Sequence, residues 1–324
     1  MNFKTWTWVC AVGLSMLGWT VPANAQPYPN KPVKLVVGYA AGGAVDIIAR
    51  TVGQNMSGAM GQPVVVENKP GAGTNIAVKS VIAADPDGYT LMMAANALAA
   101  NMSLYQPQPF DAEKDVVAVS LVGRVPVVIA ANPAVPYGNV KQLIDSAKGK
   151  PNSIAYGSPG NGSTPHMAIE LFARAAGIDL QHIPYKGGSP AITDTIGGQV
   201  PLVAVNALEA LPHVRSGKLK LIAVLSAQRS TNYPDVPTIA ESGYPGFEAS
   251  VWYGIVAPAA TPKPIVQKLH AEVQKALTTK EVKERMAAVG GEVVPGSADM
   301  FAQLIKSEAQ RYTRLVREAN IKPD

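Results

Sequence analysis

The chain has 324 residues, of which 47% are hydrophobic and 16% charged, with a formal net charge of +5 and one cysteine. This length allows two domains of ordinary size. The modest positive charge is spread along the chain and does not predict a nucleic-acid partner. Because Cys10 lies in the N-terminal leader described next, we expect no disulfide, thiolate catalysis or cysteine metal site in the mature chain.

The first 25 residues have the pattern of a secretory signal peptide. Lys4 supplies a positive n-region, residues 6–19 are mostly apolar, and Ala23-Asn24-Ala25 is a small-x-small cleavage site. The apolar run is too short for a comfortable membrane span. We therefore predict an exported, periplasmic protein that is cleaved after Ala25.

The rest of the chain alternates short apolar runs with helical patterns, which is typical of an α/β protein. The predicted strands cover residues 33–39, 63–67, 89–95, 116–131, 154–156, 180–184, 200–205, 219–225 and 247–257. The predicted helices cover residues 45–56, 140–147, 165–176, 190–196, 264–277, 281–289 and 298–319, and one more begins at Thr74 or Asn75.

Two strands, near Val127 and Val251, are the predicted crossovers between two lobes. We assign residues 26–126 plus 249–324 to lobe 1 and residues 127–248 to lobe 2. No low-complexity linker separates them, so the pattern indicates lobes joined by strands. Such a hinge can open and close around a ligand.

Four of the predicted helices begin directly after Gly-rich turns, at Gly42-Gly43, residues 71–73, residues 157–162 and Gly187-Gly188. The first-turn N–H groups and the positive end of a helix dipole favour an anion at such a position. In open α/β sheets, ligands bind beyond the carboxyl ends of the strands, where these turns collect. A well-capped helix with no ligand is the alternative interpretation of each turn.

Catalytic interpretations have little support in the motifs. Ser158 and Ser163 do not lie in a G-x-S-x-G nucleophile elbow, and the four histidines have no metal-binding spacing. We therefore predict neither an enzyme nor a cofactor or metal. An exported serine hydrolase that assembles a triad from distant residues stays open as an alternative.

Five segments resemble a known family: YPNKPVKLVVGYAAGGAVDIIAR, VVVENKPGAGTNIAVKSVIAADPDGYTL, YGSPGNGSTPHMAIELF, IPYKGGSPAITDTIGGQV and VPTIAESGYPGFEASVWYGIVAP. The chain resembles the Bug-type extracytoplasmic solute receptors, the substrate-binding proteins of tripartite tricarboxylate transporters. The resemblance implies a type II periplasmic binding fold, in which two α/β lobes joined by a strand hinge enclose a cleft. It also implies capture of a small organic carboxylate for membrane permease subunits.

The resemblance also supplies candidate ligand-binding residues, to which we add Asp46 and His166 from their own chemistry. For both of these, a capping or packing role is the alternative, and for Lys186 the alternative is a solvated side chain. The carried-over candidates are Tyr39, Ala40, Ala41, Gly42, Gly43, Asn96, Ser158, Asn161, Ser163, Thr164, Tyr185, Lys186, Gly187, Asn206 and Trp252.

The chain departs from the family at three positions near the expected cleft. Many relatives have proline at Ala41, a hydroxyl residue at Ala44 and an acidic residue at Val205. Fewer polar contacts favour a carboxylate with an apolar or aromatic body. We expect a monomer, because a hinge that must close is poorly served by an extensive interface. A sensor that serves a membrane two-component kinase is the alternative role.

Overall fold

The computed structural model describes residues 28–230, 233–288, 291–319 and 321–322. The predicted signal peptide, residues 1–25, lies outside the described residues. The strands are β1 (Val33–Val37), β2 (Val64–Asn68), β3 (Thr90–Ala95), β4 (Val116–Ala131), β5 (Ala155–Ser158), β6 (Gln181–Pro184), β7 (Leu202–Asn206), β8 (Lys220–Val224), β9 (Ser250–Pro258) and β10 (Glu292–Val293).

The helices alternate with these strands. They are α1 (Ala44–Met60), α2 (Asn75–Ile82), α3 (Ala97–Leu104), α4 (Ala112–Asp115), α5 (Val140–Ala147), α6 (Thr164–Ala176), α7 (Gly188–Ile196), α8 (Ala207–Arg215), α9 (Lys263–Thr278), α10 (Lys280–Ala287) and α11 (Ala298–Ala319). Within the described ranges, no helix combines the length and apolar character that crossing a membrane requires.

The 16-residue strand β4 runs through both halves of the sheet, whose order is β2-β1-β3-β9-β4-β7-β5-β6. It pairs with β9 from Val116 to Pro126, with β7 from Val127 to Ala131 and with β8 from Val128 to Ala131. We call the part of the sheet that contains β9, β3, β1 and β2 lobe 1, and the part that contains β7, β8, β5 and β6 lobe 2. The predicted α/β architecture of two lobes joined by strands is confirmed. Lobe boundaries at 126/127 and 248/249 stay a prediction.

Strands β1, β2 and β3 are parallel to one another, as are β5, β6 and β7. Parallel strands covered by helices on both faces are buried and read as continuous apolar runs. The predicted apolar face of α1 is confirmed, since Val45, Ile48, Ala49, Val52 and Met56 are all buried. Because strand directions agree within each group, the loops that follow β1, β5 and β6 collect at carboxyl edges of the sheet.

Several bounds and elements differ from the sequence-based predictions. Helix α1 continues four residues beyond the predicted end at Met56, to Met60, and is capped by Gly61 in the left-handed region at φ 65°. Helices α3, α4 and α8 were not predicted. The segment of α3 is apolar on nearly every side, so it lacks a helical period. Helix α8 contains Pro212, which disfavours a helix interior.

Candidate functional site

The N-termini of α1 from lobe 1 and of α6 and α7 from lobe 2 meet at one cavity. First-turn N–H groups of the three helices have no intrahelical acceptors, so their partial positive charges converge there. The cavity measures about 20 Å³, enough for about one water molecule. Its lining consists of Tyr39, Val45, Ala95, Pro159, Ser163, Thr164, Pro165, Gly188, Asn206, Glu209 and Val251.

Direct hydrogen bonds cross between the lobes beside this cavity. The backbone N–H of Ala40 donates to the carbonyl oxygen of Lys186 at 2.8 Å. The N–H of Ala44, the first residue of α1, donates to the Glu209 carboxylate. A Cβ at Gly188 would overlap that same carboxylate, so only glycine allows this approach. The structure is therefore a closed arrangement of the cleft.

Four of the predicted ligand-binding residues line the cavity: Tyr39, Ser163, Thr164 and Asn206. Ser163 is the N-cap of α6, where its hydroxyl accepts the N–H of His166 at 3.4 Å. Burial raises the pKa of the Tyr39 phenol well above its usual range. The Oδ1 atom of Asn206 is buried with no hydrogen-bond partner among the described residues, so it is available as an acceptor.

The glycine loops adjoin the cavity through their backbones. Gly42 lies in the left-handed region at φ 78°, which lets the loop after β1 turn into α1, and Gly43 lies against Glu209. Gly187 packs its backbone on Ala40. Ala41 and the Lys186 side chain are exposed, so Lys186 meets the other lobe through its carbonyl oxygen and not through its amine.

Asp46 holds the shape of the first loop. Its carboxylate accepts the N–H of Gly42 at 2.9 Å, forms an ion pair with Arg50 at 2.8 Å and accepts from Asn68 at 3.0 Å. Burial favours its neutral form, but the hydrogen bonds from Arg50, Gly42 and Asn68 outweigh burial and keep the pKa of Asp46 below its ordinary value. These partners account for Asp46 without a ligand.

Asn96 and Trp252 are tied to the core of lobe 1. The Asn96 amide donates to Glu308 at 3.2 Å and to the Tyr312 hydroxyl at 3.1 Å, and its Oδ1 accepts the backbone N–H of Trp252 at 3.0 Å. The Trp252 ring packs edge-to-face on Phe301 with centroids 5.4 Å apart. The neighbouring residue Val251 lines the cavity instead, because successive side chains on β9 point to opposite faces.

Ser158, His166 and His182 form a cluster in lobe 2. The Ser158 hydroxyl lies 2.7 Å from His182 Nε2 and accepts the N–H of Gly160 at 3.0 Å. The rings of His166 and His182 stack with centroids 4.1 Å apart, and burial lowers the pKa of His182 to about 4. Ser158 is fully buried, so the pair shapes the turn that leads into α6.

Two further candidates are Tyr185, which makes a contact within lobe 2, and Asn161, which makes a contact between the lobes. The Tyr185 hydroxyl donates to Asp194 in α7 at 2.7 Å, which fixes the loop before that helix. Asn161 is half-buried, and its carbonyl oxygen lies against Gly73 of lobe 1.

Sequence reasoning missed Glu209, the charged side chain in the cavity lining. It lies in the first turn of α8, is 7% exposed and has an Oε2 atom with no hydrogen-bond partner among the described residues. Burial raises the pKa of Glu209 to about 7, against the smaller opposing effect of the Ala44 N–H. A carboxylate inside the apolar stretch ALEAL, directly after a strand, was the available signal.

Comparison with known proteins gives the same assignment at several levels. Residues 48–321 match the family described as "Tripartite tricarboxylate transporter family receptor". Protein BugT of Bordetella pertussis is 37% identical over 99% of both chains. The structure of periplasmic binding protein BugD shares 35% identity at a TM-score of 0.88, covering 92% of this chain and all of that one.

A second solved relative carries a ligand. The R. palustris protein solved with adipate shares 31% identity at a TM-score of 0.87, covering 92% of this chain and all of its own. These similarities extend over both lobes and the cavity between them. The chain therefore belongs to the tripartite tricarboxylate transporter receptor family, as a Bug-type solute-binding receptor.

Proposed function

We propose that this protein captures a small organic carboxylate between its lobes and delivers it to the membrane permease subunits of a tripartite transporter. The convergence of three helix N-termini from both lobes on one cavity carries this proposal, because backbone N–H groups at such ends favour negative charge. Family membership and the adipate in a relative support it.

Ligand entry requires the lobes to separate. A cavity of about 20 Å³ cannot hold a dicarboxylate, and the bonds from Ala40 and Ala44 close the cleft over it. Strand β4 provides the hinge, since it continues from one lobe into the other. Binding then consists of opening, capture and closure around a ligand larger than the present cavity.

The cavity lining suggests which kind of carboxylate fits. Val45, Ala95, Pro159 and Val251 are apolar, and they line the cavity together with Ser163 and Thr164. Neutral donors can hold a carboxylate without a buried counter-ion, while the apolar residues cover its carbon skeleton. The proposed ligand is thus a carboxylate with an apolar body.

Thermal-shift and native mass-spectrometry measurements test the proposal. Purified protein should be stabilised by some members of a panel of mono- and dicarboxylates and by no uncharged analogue of the same carbon skeleton. At pH 8, small-angle scattering should show a more compact particle with the best carboxylate than without it. Stabilisation by uncharged analogues alone, or by no member of the panel, would overturn the proposal.

We further propose that the receptor performs no chemistry and that it is exported and monomeric, with Gln26 as its first mature residue. The Ser158 hydroxyl lies 2.7 Å from Nε2 of His182, but Ser158 is fully buried and its hydroxyl accepts the N–H of Gly160. Turnover of ester substrates that disappears in Ser158→Ala would contradict the non-catalytic role. N-terminal sequencing of the periplasmic product and its mass in solution check cleavage and monomeric state.

A further inference from the structure

A carboxylate of the protein itself occupies the anion-favouring position at the start of α1. The N-cap residue Gly43 has no side chain to cap this helix, and Glu209 from lobe 2 accepts the N–H of Ala44 in its place. Glu209 is 7% exposed and reaches across the cleft to do so. One of the three converging helix ends is therefore already matched with negative charge.

Apart from the Ala44 N–H, the Glu209 carboxylate has no hydrogen-bond or ion-pair partner among the described residues of the closed cleft. Its Oε2 atom is buried without a hydrogen bond, and no ion pair reaches it within the part of the chain that the structure describes. Its charge acts on two phenols, Tyr39 in the loop after β1 and Tyr253 in β9, and adds to burial in raising the pKa of each. The Tyr253 hydroxyl is also buried without a partner. Burying a carboxylate oxygen without a partner is unfavourable, so a donor from the ligand at Oε2 would stabilise the closed cleft.

This arrangement separates the two ends of a ligand. The start of α6, with Ser163 and Thr164, lines the same cavity and carries no acidic side chain, whereas Gly188 at the start of α7 lies against the Glu209 carboxylate. A ligand carboxylate held at the start of α6 leaves the opposite end of the molecule near Glu209. A second carboxylate at that end would face a like charge, whereas an N–H donor would pair with Oε2.

We propose that Glu209 is the specificity-determining residue of the cleft and selects carboxylates that carry an ammonium or amide nitrogen at their other end. The inference rests on the proposed receptor function. The receptor function predicts that carboxylates bind. The role of Glu209 predicts which carboxylates bind most tightly, because this residue contacts the end of the ligand that is remote from its carboxylate.

Matched probes test this preference directly. Straight-chain diacids of four to six carbons, the monoamide of each, and the amino acid in which an ammonium replaces one carboxylate can be compared by calorimetry at pH 8. Wild-type protein should bind the nitrogen-bearing probe at least tenfold tighter than the diacid of the same length. Glu209→Gln should lower the affinity for the amino acid at least tenfold. In this variant the affinities for the amino acid and for the diacid of the same length should differ by no more than about threefold.

Glu284→Gln is the matched control, because Glu284 is an exposed carboxylate in α10. It should leave all ratios unchanged. A wild-type preference for diacids, or equal effects of Glu209→Gln on all probes, would overturn the specificity role while leaving the receptor function intact. If no probe and no other carboxylate binds, both proposals fail. The wild-type ratio is informative even where Glu209→Gln folds poorly.

Discussion

The backbone N–H of Ala40 and the carbonyl oxygen of Lys186 are joined at 2.8 Å across the cleft, although 146 positions separate them. The contact uses main-chain atoms only, and the Lys186 amine points to solvent. Lys186, a candidate ligand-binding residue, therefore contacts the other lobe through its backbone in the structure. The side chain and the main chain of one residue have separate roles here.

Lys186→Ala should change the affinity for the tightest carboxylate of the thermal-shift panel by less than about threefold at physiological salt. Exposed charges are screened by solvent and counter-ions, and the carbonyl that accepts from Ala40 is kept. Titration calorimetry measures the effect. A loss of tenfold or more would place the amine in direct contact with ligand.

Closure of the ligand-free cleft should depend on pH through Glu209. The pKa is raised from 4.5 to about 7 in the closed state, so the protonated carboxyl favours closure. Closure is therefore most favourable below pH 4.5, weakens between 4.5 and about 7 and levels off above, with a total change of up to about 3 kcal/mol.

Small-angle scattering of ligand-free protein at pH 5 and pH 8 measures this dependence, with the larger radius of gyration expected at pH 8. Glu209→Gln cannot titrate at this position and should remove the difference. A difference of the same size in Glu209→Gln would assign the effect to other groups.

Gly188→Ala should weaken carboxylate binding at least tenfold. The added methyl group overlaps the Glu209 carboxylate, so the lobes cannot reach the observed closed arrangement without displacing that side chain. Gly58→Ala is the matched control, since a Cβ there meets no atom within 4 Å. In the interior of α1 it should stabilise the fold by about 0.5–1 kcal/mol and leave binding unchanged. Unchanged binding in Gly188→Ala would show that the cleft closes differently around ligand.

Asn96→Ala should lower the free energy of unfolding by about 2–4 kcal/mol, because the buried groups of Trp252, Glu308 and Tyr312 lose hydrogen-bond partners. Urea unfolding measures the change. Gln199→Ala, at an exposed amide, should stay within about 0.5 kcal/mol of wild type. If Asn96→Ala abolishes binding at unchanged stability, Asn96 contacts ligand instead.

The sequence predicted most strands and the long helices because their apolar periods are strong. The helix predicted at 264–277, for example, differs from α9 by one residue at each end. Helix α8 was missed because Pro212 disfavours a helix in its sequence. The helix is stabilised by packing against β4 and β7, which the local sequence does not reveal. Glu209 was missed with it, because its role depends on Ala44, which lies 165 positions away. Cross-lobe contacts of this kind leave no local pattern.

The position of β9 has a consequence for the order in which the molecule forms. This strand lies between β3 and β4, yet it is made only after all of lobe 2. Until residues 250–258 have been synthesised, the sheet of lobe 1 is divided, with β1, β2 and β3 lacking the strand that joins them to β4. Lobe 2 already has its strands by then, so the later-finished lobe is the one whose edges stay exposed to proteases and chaperones during biogenesis.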